Sequence, residues 1–189
     1  MKTSISEYDV ILIGGSSGSL TATIEILENF KESFDKSVVI VLHQLKEKSD
    51  LLKDILSAKT KIKTKEPVDK ELIKKNIIYI APANYHLMIE KDKTFSYSIE
   101  EPINFSRPSI DVLFETAANV FKEKVVGILL SGANSDGSEG LQKIKNNGGL
   151  TIVQDPRSAE YPYMPNAAIN NMEVDLILSI VKIKHFLQK

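Results

Sequence analysis

The chain has 189 residues, a formal net charge of −1, 42% hydrophobic and 26% charged residues, and neither cysteine nor tryptophan. This length suits one domain able to bury a sizeable core. The missing cysteines exclude a disulfide framework, a thiolate zinc site and a cysteine nucleophile, and the balanced charge gives no sign of a nucleic-acid binder.

The first segment, residues 8–13 (YDVILI), is the nearly continuous apolar run expected of a strand buried on both faces. A Gly/Ser turn follows, and then Leu20, Ile24 and Leu27 recur at helical spacing. Residues 37–42 (SVVIVL) form a second buried strand that ends at His43, and 50–58 a helix with Leu51, Leu52, Ile55 and Leu56 along one side. The lysine-rich stretch 59–75 reads as a solvated, mobile surface segment. Residues 77–80 are another strand; 86–90 and 94–99 flank Lys91-Asp92-Lys93 as an antiparallel edge hairpin.

A helix is expected over 109–121, with Pro108 near its start and Ile110, Leu113, Phe114 and Ala117 as its apolar stripe. Residues 125–130 (VVGILL) are a third strongly apolar strand, running into the turn SGANSDG and a helix that carries Leu141 and Ile144. Gly148-Gly149 stops that helix before a strand over 150–153, and the loop DPRSAEYPYMP precedes a last helical stretch. The alternation of strand and helix predicts one α/β domain, 1–189, with a largely parallel sheet. No apolar run is long enough to span a bilayer, and the start MKTSISEYDV lacks the regions of a signal peptide, so a cytoplasmic protein is expected.

Ligands of such sheets bind beyond the carboxyl ends of the strands. Serine, histidine and aspartate emerge there as Ser16, His43 and Asp136, the types needed for a nucleophile, its base and the acid that orients the base. Gly14-Gly15-Ser16-Ser17-Gly18 matches Gly-x-Ser-x-Gly, but such a loop equally suits a phosphate cradle or a plain tight turn. The dinucleotide spacing Gly-x-Gly-x-x-Gly is not met, and no P-loop is present. His43 could be a satisfied polar residue closing a strand, and Asp136 a turn residue without function. His86, after a loop, and His185, in a charged C-terminal helix, are weaker candidates, and no metal site is expected. Among other aspartates, Asp111 falls in the first turn of a helix, where the helix dipole explains it; Asp155 and Asp175 follow later segments.

The blocks GGSSGS, LHQ, APANYH, RPSIDVLF, LLSGANSDGSEGL and MPNAAI occur in the order seen in the chemotaxis protein-glutamate methylesterase, and the resemblance to its catalytic domain covers nearly the whole chain. The resemblance implies a doubly wound, mostly parallel sheet with helices on both faces. It also implies hydrolysis of γ-glutamyl methyl esters on a methylated chemoreceptor or similar signalling protein, in some members with glutamine deamidation. Carried over by motif, the nucleophile falls on Ser16, the base on His43 and the acid on Asp136, and no cofactor is implied. Ser17, Ser19 and Gln44-Leu45 depart from the family's usual residues and bear on substrate preference. Ser17, His86, Arg107 and Met164 are expected to line an open cleft, the alternative being that His86 and Arg107 only brace the loops, with no receiver domain before the first strand. Two other readings stand beside this one: a non-catalytic receptor-binding scaffold, and an esterase or amidase for a small molecule.

Overall fold

The computed structural model describes residues 4–28, 30–43 and 49–188. The expected strands form where the apolar runs lie: β1 is Val10–Gly15, β2 Ser37–Leu42, β4 Ile77–Ile80, β7 Val125–Leu129 and β8 Leu150–Gln154. Two further strands, β3 (Lys63–Lys65) and β9 (Leu176–Leu178), complete a seven-stranded sheet in the order β3-β4-β2-β1-β7-β8-β9. Every neighbouring pair is parallel. From β1 the chain builds one half of the sheet outward to β3, then returns and builds the other half from β7. The connections leaving β1 and β7 therefore diverge, which opens a crevice at the carboxyl edge.

Alternate residues of each central strand serve opposite faces. Ile11, Ile13, Val38 and Ile40 pack with Ala22, Ile26 and Leu27 of α1 (Ser19–Leu27), Leu52 and Leu56 of α2 (Ser49–Ser57), and Ile183 and Phe186 of α6 (Ile180–Phe186). Val10, Leu12, Val39 and Val41 pack with Leu113, Phe114 and Ala117 of α3 (Ile110–Phe121), Leu141 and Ile144 of α4 (Ser138–Asn146), and Met164 and Ala168 of α5 (Tyr163–Asn171). Phe114 is fully buried at the centre of the second cluster, where truncation to alanine would cost about 3–5 kcal/mol.

Four local differences from the sequence reading have tertiary causes. Lys63–Lys65, inside the lysine-rich stretch, pairs with Ile77–Tyr79 as an edge strand; its lysines leave the outer edge charged, which discourages pairing with other chains. β9, only three residues long, forms against β8 without a periodic pattern of its own. The hairpin, β5 (His86–Ile89) and β6 (Phe95–Ser98), makes a separate two-stranded sheet instead of an edge of the main one. Its Leu87, Ile89 and Phe95 pack into the α3 face, and Ile89 N–H donates to Thr116 Oγ1 at 3.2 Å. On α1 the buried side runs through Ala22, Thr23 and Ile26, whereas Leu20 is 36% exposed and turns toward the carboxyl edge of the sheet.

Candidate active site

Hydrogen bonds that continue past the ends of the central strands place the first functional residues. His43 N–H donates to Gly15 O at 3.1 Å, Leu130 N–H to Gly14 O at 2.9 Å, and Ser16 N–H to Ser131 O at 2.9 Å. Ser16 and His43 thus leave adjacent strands, β1 and β2, at the same level. The chain then turns into α1: Ser19 N–H and Oγ both donate to Ser16 O, at 3.0 and 2.5 Å. Gly18 makes the turn possible with φ 75°, and a Cβ there would lie 2.7 Å from Glu160 Cβ. Ser131 pins the turn from the β7 side, its Oγ donating to Ser17 O at 2.8 Å and accepting Tyr161 N–H at 2.9 Å. Among the described residues, the N–H groups of Ser17 and Gly18 have no acceptor within the chain.

Asp136 is fully buried and its carboxylate is saturated. Oδ2 meets His43 Nε2 at 2.7 Å and accepts Ile110 N–H at 2.7 Å; Oδ1 accepts Ser109 Oγ–H at 2.8 Å and Asp111 N–H at 3.1 Å. The carboxylate therefore caps the N-terminus of α3 from a distant segment, where free N–H groups and the helix dipole favour negative charge. Burial on its own would raise this carboxyl. The His43 hydrogen bond, the Ile110 N–H, the imidazole's charge and the Ser109 hydroxyl outweigh it and hold Asp136 below the ordinary carboxylate range.

The other ring nitrogen of His43, Nδ1, lies 3.2 Å from Ser106 Oγ. Ser106 immediately precedes the block RPSIDVLF, and no local signal marks it; only the fold brings it to the imidazole. Ser16, Ser19 and His43 line a pocket of about 150 Å³ whose remaining lining is apolar, with Leu20, Leu42, Leu52 and Ile55 among it. No hydrogen bond joins the side chains of Ser16 and His43, whose ring nitrogens meet Asp136 and Ser106. A second pocket, of about 140 Å³, is lined by His43, Phe105, Ser106, Arg107 and Pro108. Larger surface clefts of about 230 and 560 Å³ lie elsewhere, and neither is lined by a histidine.

The competing aspartates do not reach His43. Asp155 pairs with Arg157, and Asp175 with Lys145 and Thr151. Asp111 is buried, not a solvated first-turn carboxylate: Oδ1 accepts Gly140 N–H at 2.7 Å and Oδ2 accepts Asn104 Nδ2–H at 3.0 Å. Burial, with the charge of Asp136 beside it, pushes its carboxyl up to about 7 against the pull of the Gly140 N–H.

Two expected rim residues lie inside instead. His86 is 1% exposed, its Nε2 on Glu101 O at 3.1 Å and its Nδ1 accepting Ser109 N–H at 3.2 Å. Met164 is fully buried and packs under Gly132, where a Cβ would meet its Cε at 2.5 Å. His86 opens β5 and Met164 lies in the first turn of α5, elements that pack into the core on the α3 face. Ser17 is exposed beside Ser16. Arg107 lines the second pocket while Nη1 donates to Ile99 O and Glu100 O at 2.8 and 3.0 Å. His185 lies on the exposed side of α6, bonded to Val181 O. Gln44 and Leu45 lie outside the described residues.

Comparison with known proteins identifies the family. The family described as CheB methylesterase matches residues 11–187. A putative protein-glutamate methylesterase/protein-glutamine glutaminase of Leptospira interrogans (strain Fiocruz L1-130) is 52% identical over 93% of this chain and 91% of its own. The protein-glutamate methylesterase/protein-glutamine glutaminase of Clostridium acetobutylicum is 31% identical over 95% of this chain and 52% of its own. The crystal structure of the Thermotoga maritima CheB methylesterase catalytic domain superposes with a TM-score of 0.90 at 29% identity, covering 95% of this chain and 97% of that one. The chain belongs to the CheB methylesterase family.

Proposed function

We propose that the protein hydrolyses methyl esters of γ-glutamyl side chains on a chemoreceptor or similar signalling protein, with Ser16 as nucleophile, His43 as base and Asp136 as orienting acid. The observation that carries this reading is the fully buried Asp136 carboxylate, held 2.7 Å from His43 Nε2 at the strand end next to Ser16. With Nε2 committed to the carboxylate, Nδ1 is the ring atom that accepts the Ser16 proton. Ser106 occupies Nδ1 in the resting state and yields it when Ser16 engages.

Ser16 Oγ attacks the ester carbonyl, and the tetrahedral oxyanion is stabilised by the Ser17 and Gly18 N–H groups, which have no acceptor among the described residues. Protonated His43 hands the proton to departing methanol. Water, deprotonated by the same nitrogen, then releases the glutamate carboxylate and free Ser16. A glutamine side chain would follow the same path with ammonia leaving, an activity that the names of the Leptospira and Clostridium relatives include. Asp136 stabilises the imidazolium and fixes its orientation.

The test is incubation with membranes bearing methyl-labelled receptors, scoring released methanol, with Ser16→Ala as control. Methanol release by the wild type and none by the variant is expected. Turnover of small esters alone would favour a small-molecule esterase, and inertness toward both a binding scaffold.

A further inference from the structure

The turn over residues 103–106 closes tightly. Ile103 N–H donates to Ser106 O at 3.2 Å, and Ser106 N–H to Ile103 O at 2.9 Å. Its two central residues, Asn104 and Phe105, have φ of 50° and 62°. Two-residue turns with both φ positive favour asparagine first and glycine second, because a Cβ is strained in the left-handed region. Here the second position holds a phenylalanine whose side chain is fully exposed, so the strain is not offset by burial. The turn is also held firmly. Asn104 Nδ2 donates to the buried Asp111 at 3.0 Å, and Asn134 Nδ2 donates to Asn104 O at 3.3 Å. A strained, anchored, solvent-facing aromatic ring is thus presented one residue before Ser106, which touches His43.

We infer that Phe105 is a substrate-docking residue, whose ring inserts among apolar side chains of the polypeptide that carries the esterified glutamate and holds that glutamate over His43. This rests on the function proposed above. Phe105 and His43 line the same pocket, so an ester delivered to the imidazole from that side passes beside the ring. The ring stands out from the surface, whereas small ligands are taken up in concavities; its complement is an apolar hole between side chains of another macromolecule. Ile103 and Ile99, 42% and 75% exposed, extend the apolar surface next to it.

The experiment compares kcat/KM for methylated receptor in membranes with kcat/KM for p-nitrophenyl acetate, in wild type, Phe105→Gly and Phe105→Tyr. Glycine suits the backbone at this position, so F105G should melt no lower than wild type, which removes misfolding as an explanation. The expected result is a fall of about tenfold in the receptor-to-small-ester ratio for F105G, carried by KM and equivalent to one tight contact, with F105Y retaining the wild-type ratio. An unchanged ratio in F105G, with the wild type active on both substrates, overturns this inference alone. So does an unchanged ratio accompanied by a shift in oligomeric size, which would assign the ring to self-association. A wild-type enzyme that hydrolyses the small ester but never the receptor overturns the functional reading, and this inference with it.

Discussion

Asp136 Oδ2 lies 2.7 Å from His43 Nε2, and the same carboxylate closes the N-terminus of α3 through the Ile110 and Asp111 N–H groups. One side chain therefore holds the imidazole and anchors a helix. Asp136→Asn keeps the shape but loses a charged acceptor and turns a donor toward groups that already donate. Turnover of methylated receptor should fall by up to about four orders of magnitude, as for amidation of the acid in the best-studied triad. The melting temperature should fall as well, by the equivalent of about 1–3 kcal/mol for the disturbed buried bonds. Because members of a triad act as a unit, adding the change to Ser16→Ala should lower turnover almost no further. Steady-state kinetics at a temperature where circular dichroism shows the variant folded decides the matter.

Ser106 and Ser16 both flank His43, and the proposed roles separate them. A fluorophosphonate that labels activated serines should modify Ser16 and leave Ser106 free, read by peptide mass spectrometry. Ser106→Ala should lower turnover by no more than about tenfold, the scale of one neutral hydrogen bond, whereas Ser16→Ala should abolish it. Labelling at Ser106 would reverse the assignment of the nucleophile.

Asp111 makes stability depend on pH. Its carboxyl is raised to about 7 in the folded protein, above the value near 3.9 of an unfolded aspartate. Between those values the native state binds the extra proton, so the stability contributed by the neutral form is present in full below about pH 4. It is lost as pH rises through 7. Asp111→Asn does not ionise and mimics the neutral acid. The difference in melting temperature between D111N and wild type should therefore move in favour of D111N from pH 5 to pH 8, by an amount on the order of a few kcal/mol. A difference independent of pH would show that Asp111 does not titrate in this range.

Gly18 is the residue on which the turn from β1 into α1 depends. Gly18→Ala places a Cβ at φ 75°, 2.7 Å from Glu160 Cβ and 2.9 Å from Ser131 Oγ. The left-handed backbone alone costs about 1–2 kcal/mol, and the clash pushes the turn away from Ser131. Thermal melts should show the loss of stability, and kcat should drop more steeply than that of a variant of equal stability made in the distant edge strand β3.

Much of this molecule follows from local pattern. The apolar runs of β1, β2, β4, β7 and β8 specify buried parallel strands, because only a strand covered on both faces can be continuously apolar. With strands so placed, Ser16 and His43 follow at their carboxyl ends, and Asp136 in the turn beyond β7. What lay beyond the sequence are encounters between segments far apart in the chain. Lys63–Lys65 and Leu176–Leu178 become strands because β4 and β8 offer unpaired edges, not through any periodicity of their own. The Asp136 carboxylate meets an imidazole 93 residues away, and Ser106 reaches that ring across 63. By sequence His86 is expected to line the cleft, yet the tertiary structure commits both its ring nitrogens to backbone groups. Periodicity reports how much of a segment must be hidden from water; which polar groups then satisfy one another is decided only when the buried surfaces close.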